Sequence, residues 1–410
     1  MSDEKLMSTL SAPQSGSVDL LIVAAEHSGD EHAARLVRGL LERNPALKVC
    51  ALGGPRLAAA GAQLLRDLTG SSAMGFAVIA KISHYRALIA SIVDWIGRHR
   101  PRAVCFVDSS GLNLRIAQGL FDRGYSAKAG GPTKALYYIS PQIWASRAGR
   151  RFEMAKHLDG LAAIFPFEPA VYGDTALPVE FVGHPFVAPD YVAPVSYDPS
   201  GPVLLLPGSR KGPVARIFPV LLAGYKAWGA QRPAVVLYPS EKIREVLQAE
   251  MARWPELHDR VQLRTVTEGG AVSPVVVEAE AARNGVRALP RAVAASAVLT
   301  SSGTMSMHCA LAGIPGVVTY RTDPLTYFIG RMLVKVEHIG IANLLLKEAM
   351  YPEYIQGAAR AEVFARELKD CLENPVRRER TAAQAGHLRA LLAQPTAGSA
   401  VEWMLRQLGE

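Results

Sequence analysis

Short apolar segments alternate with helical patterns along most of this chain, and that alternation limits its possible folds more than any other feature. In the first half, the apolar segments cover residues 19–25, 48–54, 103–109, 134–140, 160–167 and 179–185. Helical patterns lie between them, over residues 31–43, 83–100 and 111–123. Because buried strands separated by helices are typical of parallel, doubly wound sheets, the first half is predicted to be an α/β domain.

The alternation stops once and then begins again. Residues 184–202 are rich in proline, tyrosine and serine, which indicates a linker. Further apolar segments then cover 203–209, 234–240, 261–266, 292–303 and 316–321, with helical patterns over 214–229 and 241–253. A second α/β domain is therefore predicted. Open α/β sheets bind ligands beyond the carboxyl ends of their strands, so two such domains facing a cleft would suit a protein with two substrates.

The predicted domain boundaries follow from these segments. They are a disordered leader (1–17), an N-terminal Rossmann-like domain (18–188), a linker (189–202), a C-terminal Rossmann-like domain (203–357) and C-terminal helices (358–410). Spacing leaves open whether those helices cross back to the first domain, and residues 264–291 fit either a strand with a short helix or a surface loop. The leader lacks the apolar region of a secretory signal. Because the sequence contains no run of 18 apolar residues, no membrane span is predicted.

Charge and cysteine content narrow the classes of partner and compartment. The net charge of +8 favours anionic ligands such as nucleic acid, nucleotide sugars or lipid headgroups. Without a zinc-finger or aromatic RNA-binding motif, nucleic acid is the least favoured of these. The four cysteines are scattered in apolar contexts, which predicts small core residues, no disulfide framework and a reducing cytoplasm.

The strongest polar motifs of the first half follow predicted strands. In "AEHSGD", Ser28 and Asp30 could cap the next helix, whereas Glu26 and His27 would cost free energy if buried without partners. In "VDSSGLN", Asp108 could take a proton from an attacking hydroxyl as a general base, or could cap the helix that follows.

Two loops of the second half have the character of phosphate sites. In "LLLPGSRKG", a strand ends at a turn that carries Gly208, Ser209 and Arg210, although a plain tight turn fits as well. In "LTSSGTMSMH", Ser302, Gly303 and Thr304 stand at a predicted helix N-terminus, where free N–H groups and the helix dipole attract anions. His308 lies one turn further along and could reach the same ligand or simply cover a helix face.

Taken together, these motifs resemble those of bacterial lipid-A-disaccharide synthases, which are two-domain glycosyltransferases of the GT-B type. The matching segments extend from about residue 20 to about residue 356 in the expected order. They include "AEHSGDEHAARLVRGL", "GGPRLAAAGAQLL", "VDSSGLNL", "YYISPQIWA", "IFPFEPAVY", "FVGHP", "LPGSR", "SSGTMSMHCALAGIPGVVTYR" and "ANLLL".

The resemblance implies an activity and a set of site residues. The enzyme would transfer 2,3-diacylglucosamine from UDP, with inversion, to the 6-hydroxyl of 2,3-diacylglucosamine 1-phosphate, forming a β-1,6-linked disaccharide and UDP. No metal or redox cofactor is implied. On the acceptor side Ser28 and Asp108 match motif positions, with Asp108 as general base. Glu26 and His27 are added as catalytic candidates from their place in the same turn, although His27 departs from the family pattern. The implied UDP-binding residues are Gly208, Ser209, Arg210, Ser302, Gly303, Thr304 and Asn343, and His308 is added as a candidate because it could reach the same ligand.

The chain departs from the family pattern at several positions. Val78 and Pro213 stand where the family has acidic residues, and His308 stands where it has a glutamate. In the Asp-x-Pro-x-Phe-Asn pattern, the proline is replaced by a serine next to Gly111. A carboxylate at position 308 would accept hydrogen bonds from a ribose diol, whereas a neutral imidazole accepts only one. Alternative functions therefore include a paralogue with another sugar or acceptor, a UDP-sugar epimerase or hydrolase, and a non-catalytic nucleotide or lipid binder.

A lipid substrate also implies contact with the inner-membrane surface from the cytoplasm. The predicted apolar contact consists of Met74, Phe76, Val78, Ile79 and Ile82, close to basic side chains. The pattern over 85–96 instead favours an amphipathic helix packed on its own sheet. The sequence leaves open whether the protein forms a homodimer.

Overall fold

The computed structural model describes residues 10–69, 78–189, 191–265, 292–322 and 338–410, and of residues 78–82 and 84 it describes the backbone. Met74, Phe76 and residues 266–291 lie outside the described residues, as do the side chains of Val78, Ile79 and Ile82. The predicted apolar membrane contact is therefore not part of the structural description below.

The chain forms two compact units. The first contains Met1–Pro185 and Gln394–Glu410, and the second contains Phe186–Ala393. Residues 189–202, which the sequence predicts to be a linker, thus belong to the second unit. Only the last part of the predicted C-terminal helices, from Gln394 onward, belongs to the first unit.

A parallel sheet forms the centre of the first unit. Its strands are β1 (Leu20–Val23), β2 (Val49–Gly53), β3 (Gln63–Asp67), β4 (Ala103–Val107), β5 (Lys134–Tyr138), β6 (Gly160–Ala163) and β7 (Val179–Phe181). Their order across the sheet is β3-β2-β1-β4-β5-β6-β7. Sequence periodicity missed β3 because this edge strand is only partly buried and has no continuous apolar run.

Helices connect these strands and cover the sheet. They are α1 (His27–Arg43), α2 (Pro55–Ala59), α3 (Val78–His99), α4 (Ser110–Asp122), α5 (Arg150–His157) and α6 (Glu168–Val171). Helix α3 contributes Ile92, Val93, Trp95 and Ile96 to the core. The prediction that residues 85–96 pack on their own sheet is therefore confirmed.

Part of the predicted leader is packed on this unit. Leu10 is buried in its core, and the carbonyl of Ser11 accepts a hydrogen bond of 2.8 Å from the indole N–H of Trp95. The expectation of a disordered leader over 1–17 thus fails for residues 10–17, because an apolar side chain and an indole partner anchor them.

The second unit contains a second main parallel sheet and a separate parallel pair of strands. Its strands are β8 (Val195–Tyr197), β9 (Val203–Leu206), β10 (Ala234–Tyr238), β11 (Val261–Thr265), β12 (Val293–Ala295), β13 (Ala297–Ser301), β14 (Gly316–Tyr320) and β15 (Glu353–Ile355). The main sheet has the order β11-β10-β9-β13-β14-β15, and β8 pairs with β12 separately. Strand β8 lies inside the predicted linker, where its pairing with β12 could not be read from local sequence.

The remaining helices complete both units. They are α7 (Lys211–Ala227), α8 (Glu241–Met251), α9 (Thr304–Leu311), α10 (Ile341–Leu346), α11 (Ala361–Glu373), α12 (Pro375–Leu392) and α13 (Ala400–Leu408). Helix α13 packs on α1 within the first unit. It begins with a capping box, in which the Ser399 side chain accepts from the Glu402 N–H and the Glu402 side chain accepts from the Ser399 N–H.

Both main sheets reverse their direction of winding once. The reversal lies between β1 and β4 in the first unit and between β9 and β13 in the second. This is the doubly wound, Rossmann-like arrangement that the alternating sequence predicts, and such switch points are where open α/β sheets bind ligands. All four cysteines are buried and free of disulfides, as predicted.

Candidate functional site

The first candidate site lies at the switch point between β1 and β4. Ser28, in the first turn of α1, donates a hydrogen bond of 3.2 Å from its hydroxyl to the carboxylate of Asp108, which follows β4. Glu26 occupies the N-cap position of α1 in an extended conformation, and His27 begins the helix with an exposed side chain. The structure therefore brings Ser28 and Asp108 together from positions 80 residues apart.

Close packing of α1 against β4 makes that contact feasible. A Cβ atom at Gly29 would lie 3.3 Å from the Val107 carbonyl oxygen and 3.6 Å from the Asp108 Cβ. Glycine at this position lets the first turn of α1 approach the end of β4. The glycine in "AEHSGD" therefore allows Ser28 to lie within hydrogen-bonding distance of Asp108.

Asp30 has a different partner from the one the sequence suggests. Its buried carboxylate accepts from the backbone N–H groups of Gly54 at 2.7 Å, Arg56 at 3.1 Å and Leu57 at 3.3 Å. Asp30 thus caps α2 and not α1, and the hydroxyl of Ser28 does not cap α1 either. The interpretation that these side chains cap the helix that contains them is wrong, because α1 already begins at His27.

Asp108 is not the N-cap residue of the helix that follows it. Helix α4 begins at Ser110 and has Ser109 at its N-cap position, without a side-chain capping bond. Asp108 is partly exposed, and its backbone has a positive φ of 51°. A carboxylate with some solvent access, held at a sheet switch point and oriented by a hydroxyl, has the features of a general base.

The second candidate site lies at the switch point between β9 and β13. Gly208 has a φ of 113°, which favours glycine, and a Cβ there would lie 3.2 Å from the Ser301 hydroxyl oxygen. The loop after β9 and the loop after β13 are therefore in close contact. A side chain at position 208 would therefore crowd the Ser301 hydroxyl.

Each of these loops leads into a helix N-terminus. Arg210 occupies the N-cap position of α7, and Ser209 and Arg210 are exposed. Gly303 occupies the N-cap position of α9, whose first residue, Thr304, is exposed, while Ser302 is partly exposed. Backbone N–H groups at helix N-termini, with an arginine beside them, are suited to bind a diphosphate.

His308 lies among aromatic rings. It is 7% exposed, and its ring centroid lies 4.0 Å from that of Phe186 and 5.8 Å from the parallel ring of Tyr191. The Tyr191 hydroxyl is hydrogen-bonded to the His308 Nδ1. Sequence reasoning missed Phe186 and Tyr191 because both stand in residues 184–202, where the composition indicates a linker and not a binding site.

Asn343 uses its side chain inside the protein. Its amide donates to the Tyr351 carbonyl at 2.7 Å and to the Glu353 carboxylate at 2.8 Å, and its oxygen accepts from the Tyr351 N–H at 3.0 Å. Glu353 also accepts from the N–H groups of Ile339 and Gly340. Asn343 thus orders the start of α10 and the approach to β15.

An aromatic group near the ends of β5 and β6 was not singled out from the sequence. Trp144, Phe165 and Phe167 have ring centroids within 5.2–6.1 Å of one another. Beside them, the buried carboxyl of Glu168 accepts from the N–H groups of Ile164 and Phe165. Burial raises the pKa of Glu168 to about 7. The signal available in the sequence was a glutamate inside the apolar run "IFPFEP".

The described ranges lack two kinds of feature, a cluster of metal ligands and a membrane-spanning helix. Across those ranges, no group of three or more His, Cys, Asp or Glu side chains is placed to hold a metal ion. Likewise, none of the helices in the described part of the chain has the length and apolar character needed to cross a membrane.

Comparison with known proteins adds a family assignment. A model of the lipid-A-disaccharide synthetase family matches residues 20–234 and 279–403. The lipid-A-disaccharide synthase of Geobacter metallireducens is 34% identical over 389 residues, which is 91% of this chain and 92% of that protein. The corresponding protein of Myxococcus xanthus is 34% identical over 361 residues, with 85% of this chain and 87% of that protein covered.

Solved structures support the fold. The UDP-GlcNAc 2-epimerase from Neisseria meningitidis has a TM-score of 0.56 at 12% identity, and the alignment covers 95% of this chain and all (100%) of that one. The calicheamicin glycosyltransferase CalG4 has a TM-score of 0.55 at 13% identity and covers 96% and 99%. The predicted GT-B fold is confirmed by these likenesses together with the two doubly wound sheets. With the family match over most of its length, the chain belongs to the lipid-A-disaccharide synthetase family and is a glycosyltransferase of lipid A disaccharide synthesis.

Proposed function

We propose that the protein transfers 2,3-diacylglucosamine from UDP, with inversion, to the 6-hydroxyl of 2,3-diacylglucosamine 1-phosphate. The products are the β-1,6-linked disaccharide 1-phosphate and UDP. Family membership supports the reaction class. The observation that carries the assignment of residues is the hydrogen bond between Ser28 and Asp108 at the switch point of the first sheet.

In the proposed mechanism, Asp108 is the general base. Its carboxylate takes the proton of the acceptor 6-hydroxyl while that oxygen forms a bond to the anomeric carbon of the donor sugar. The bond from that carbon to the β-phosphate oxygen of UDP breaks on the opposite side. The Ser28 hydroxyl orients the carboxylate, and Glu26 and His27, at the start of α1, are proposed to contact the reacting sugars.

The second unit is proposed to hold UDP. Gly208, Ser209 and Arg210 on one loop, and Ser302, Gly303 and Thr304 on the other, would donate to the diphosphate. Negative charge develops on this leaving group, so fixed donors stabilise the transition state more than the ground state. The proposed set is completed by His308 and Asn343. Because both are buried, we expect them to order the loops and helices around the nucleotide.

The acceptor implies a location at the inner-membrane surface, reached from the cytoplasm. Met74, Phe76, Val78, Ile79 and Ile82 remain the proposed apolar contact with lipid. Flotation with vesicles that contain anionic phospholipid would test this contact. Replacing Met74 and Phe76 with serine should reduce the bound fraction, and unchanged flotation would contradict it. A homodimer remains a separate proposal, to be checked by light scattering.

The first prediction concerns turnover. Purified protein should release UDP from the diacyl nucleotide sugar only when the lipid monophosphate acceptor is present, and mass spectrometry should detect the disaccharide. Asp108→Ala should lower kcat by roughly 10²–10⁴-fold because the proton acceptor is lost. The affinity for UDP should be unchanged, since Asp108 belongs to the other unit.

A matched control is Asp174→Ala, which removes an exposed carboxylate of the same unit that pairs with Arg151. Its kcat should remain near that of the wild type. UDP release without acceptor would instead indicate a hydrolase or an epimerase, and wild-type turnover by Asp108→Ala would refute the assignment of the base.

A further inference from the structure

The turn that carries Asp108 has an unusual backbone. Asp108 and Ser109 have consecutive φ values of 51° and 44°, which place both residues in the left-handed region. L-amino acids with side chains rarely adopt this region, and two in succession persist only where neighbouring groups hold them. The direction of the Asp108 side chain depends on this backbone conformation.

Two buried side chains hold the turn at one atom. The Tyr137 hydroxyl, from β5, donates a hydrogen bond to the Asp108 carbonyl oxygen. The Asn113 amide nitrogen, from α4, donates to the same oxygen at 2.8 Å and also to the Val107 carbonyl at 3.2 Å. Both side chains are fully buried. A single donor would satisfy this carbonyl, so the second one adds a constraint on its direction.

The chemistry of Tyr137 suits a fixed donor. Burial, and to a smaller extent the charge of Asp108, raise the pKa of Tyr137 well above its ordinary value. The phenol therefore keeps its proton at neutral pH, so its hydroxyl remains a hydrogen-bond donor to the backbone.

We propose that Tyr137 and Asn113 are positioning residues for the reaction: by clamping the Asp108 carbonyl, they hold the left-handed turn that directs the Asp108 carboxylate toward Ser28. This inference rests on the proposed role of Asp108 as general base. Tyr137 of β5 and Asn113 of α4 thereby gain a role in catalysis. The family motifs quoted above contain both residues but do not show whether they serve catalysis or only packing.

The positioning role predicts a specific kinetic effect. Loss of one clamp leaves the base present but free to turn away from the acceptor, and misplacement by about 1 Å can cost on the order of 100-fold in rate. Tyr137→Phe deletes a single hydroxyl and should lower kcat by roughly 10- to 100-fold. The KM for the nucleotide sugar and the affinity for UDP should remain within about twofold, because the loops of the second unit are unchanged.

Tyr172→Phe is the matched control. Tyr172 is also buried in the first unit, and its hydroxyl shares a hydrogen bond of 2.7 Å with the Ser140 hydroxyl instead of contacting Asp108. Both variants lose the hydrogen bonding of one buried phenolic hydroxyl, which in Tyr172 also includes a 3.7 Å contact with the Met154 sulfur, so their unfolding midpoints in urea should fall by similar amounts. Only Tyr137→Phe should lose kcat. Equal kcat values for the two folded variants would overturn the inference.

The Asp108→Ala variant separates this inference from the proposed function. If Asp108→Ala loses turnover while Tyr137→Phe keeps it, the base assignment stands and the positioning role alone is wrong. If Asp108→Ala keeps turnover, the base assignment fails and the positioning role fails with it. A loss of kcat in both, with Tyr172→Phe active, supports both.

Discussion

Buried carboxyl groups of this protein differ in how fully the backbone satisfies them. Asp30 accepts from three N–H groups and so binds α2 to α1. Glu168 accepts from two N–H groups through a single oxygen, and burial raises its pKa to about 7 from the ordinary 4.5. At the scale of single residues, this makes Glu168 a source of pH-dependent stability.

The direction of that dependence follows from proton binding. Because the folded state holds the Glu168 proton more tightly than the unfolded chain does, its contribution to stability is fully present below pH 4.5 and is lost as the pH rises to about 7. Glu168→Gln cannot ionise but keeps an oxygen that accepts from the Ile164 and Phe165 N–H groups. It should therefore be more stable than the wild type at pH 8, by up to roughly 3 kcal/mol, and similar to it at pH 5.

Urea unfolding at the two pH values measures this difference. Glu153→Gln, at an exposed position of α5, serves as control and should follow the wild type at both. Parallel pH curves for wild type and Glu168→Gln would contradict the prediction. Since His32 has its pKa lowered to about 4 by burial and titrates in both proteins, its effect cancels in the comparison.

At the scale of elements, the second unit depends on a close contact between two helices. Gly224 of α7 faces Phe364 of α11, and a Cβ at Gly224 would lie only 2.4 Å from the Phe364 Cβ. An atom so close to the backbone cannot rotate away. The glycine therefore sets the distance between these helices, although glycine alone disfavours a helix.

Gly224→Ala should destabilise the protein by about 1–3 kcal/mol, because α7 and α11 must move apart. The control is Gly386→Ala on α12, where a Cβ would meet no other atom within 4 Å. This control should instead stabilise by roughly 0.5–1 kcal/mol, through helix propensity alone. Urea denaturation of both variants tests the pair, and the same sign for both changes would disprove the packing argument.

At the scale of the whole molecule, the first unit is built from two separate parts of the sequence. The segment Gln394–Glu410 packs with the N-terminal part of the chain, although the whole second unit lies between them in sequence. Helix α13 places Trp403 in the first unit at 1% exposure, with its ring 3.5 Å from a Cβ position at Gly160 of β6. On the adjacent face, Val401 leaves no room for a side chain at Gly39 of α1. The stability of the first unit therefore depends on both ends of the sequence.

Trp403→Ala should destabilise the first unit by about 3–5 kcal/mol because it leaves a large cavity. Hydrogen exchange followed by mass spectrometry should show faster exchange in peptides from α1 and β6, with peptides from β9 and β13 unchanged. Trp403→Phe, which fills part of the space, should show a smaller effect. Faster exchange confined to the second unit would contradict the assignment of α13.

Local sequence was sufficient for some of these features. The apolar runs and helical patterns predicted two doubly wound domains, since burial on both faces of a parallel sheet requires continuous apolar segments. They also predicted that Asp108 and the loop of Ser302 would follow strands, because a strand must end where polar residues begin. The buried, unpaired cysteines follow from the same apolar contexts.

Only the tertiary structure decided which distant groups meet. Asp30 caps a helix 24 residues further along, β8 finds β12 nearly 100 residues later in the numbering, and Tyr137 reaches the carbonyl of Asp108 from a neighbouring strand. In each case the hydrophobic periodicity of a segment does not predict which distant segment it contacts. Sequence therefore determined where strands, helices and polar turns occur, whereas the order of strands in each sheet determined which polar groups became neighbours, because hydrogen bonds depend on distance in space.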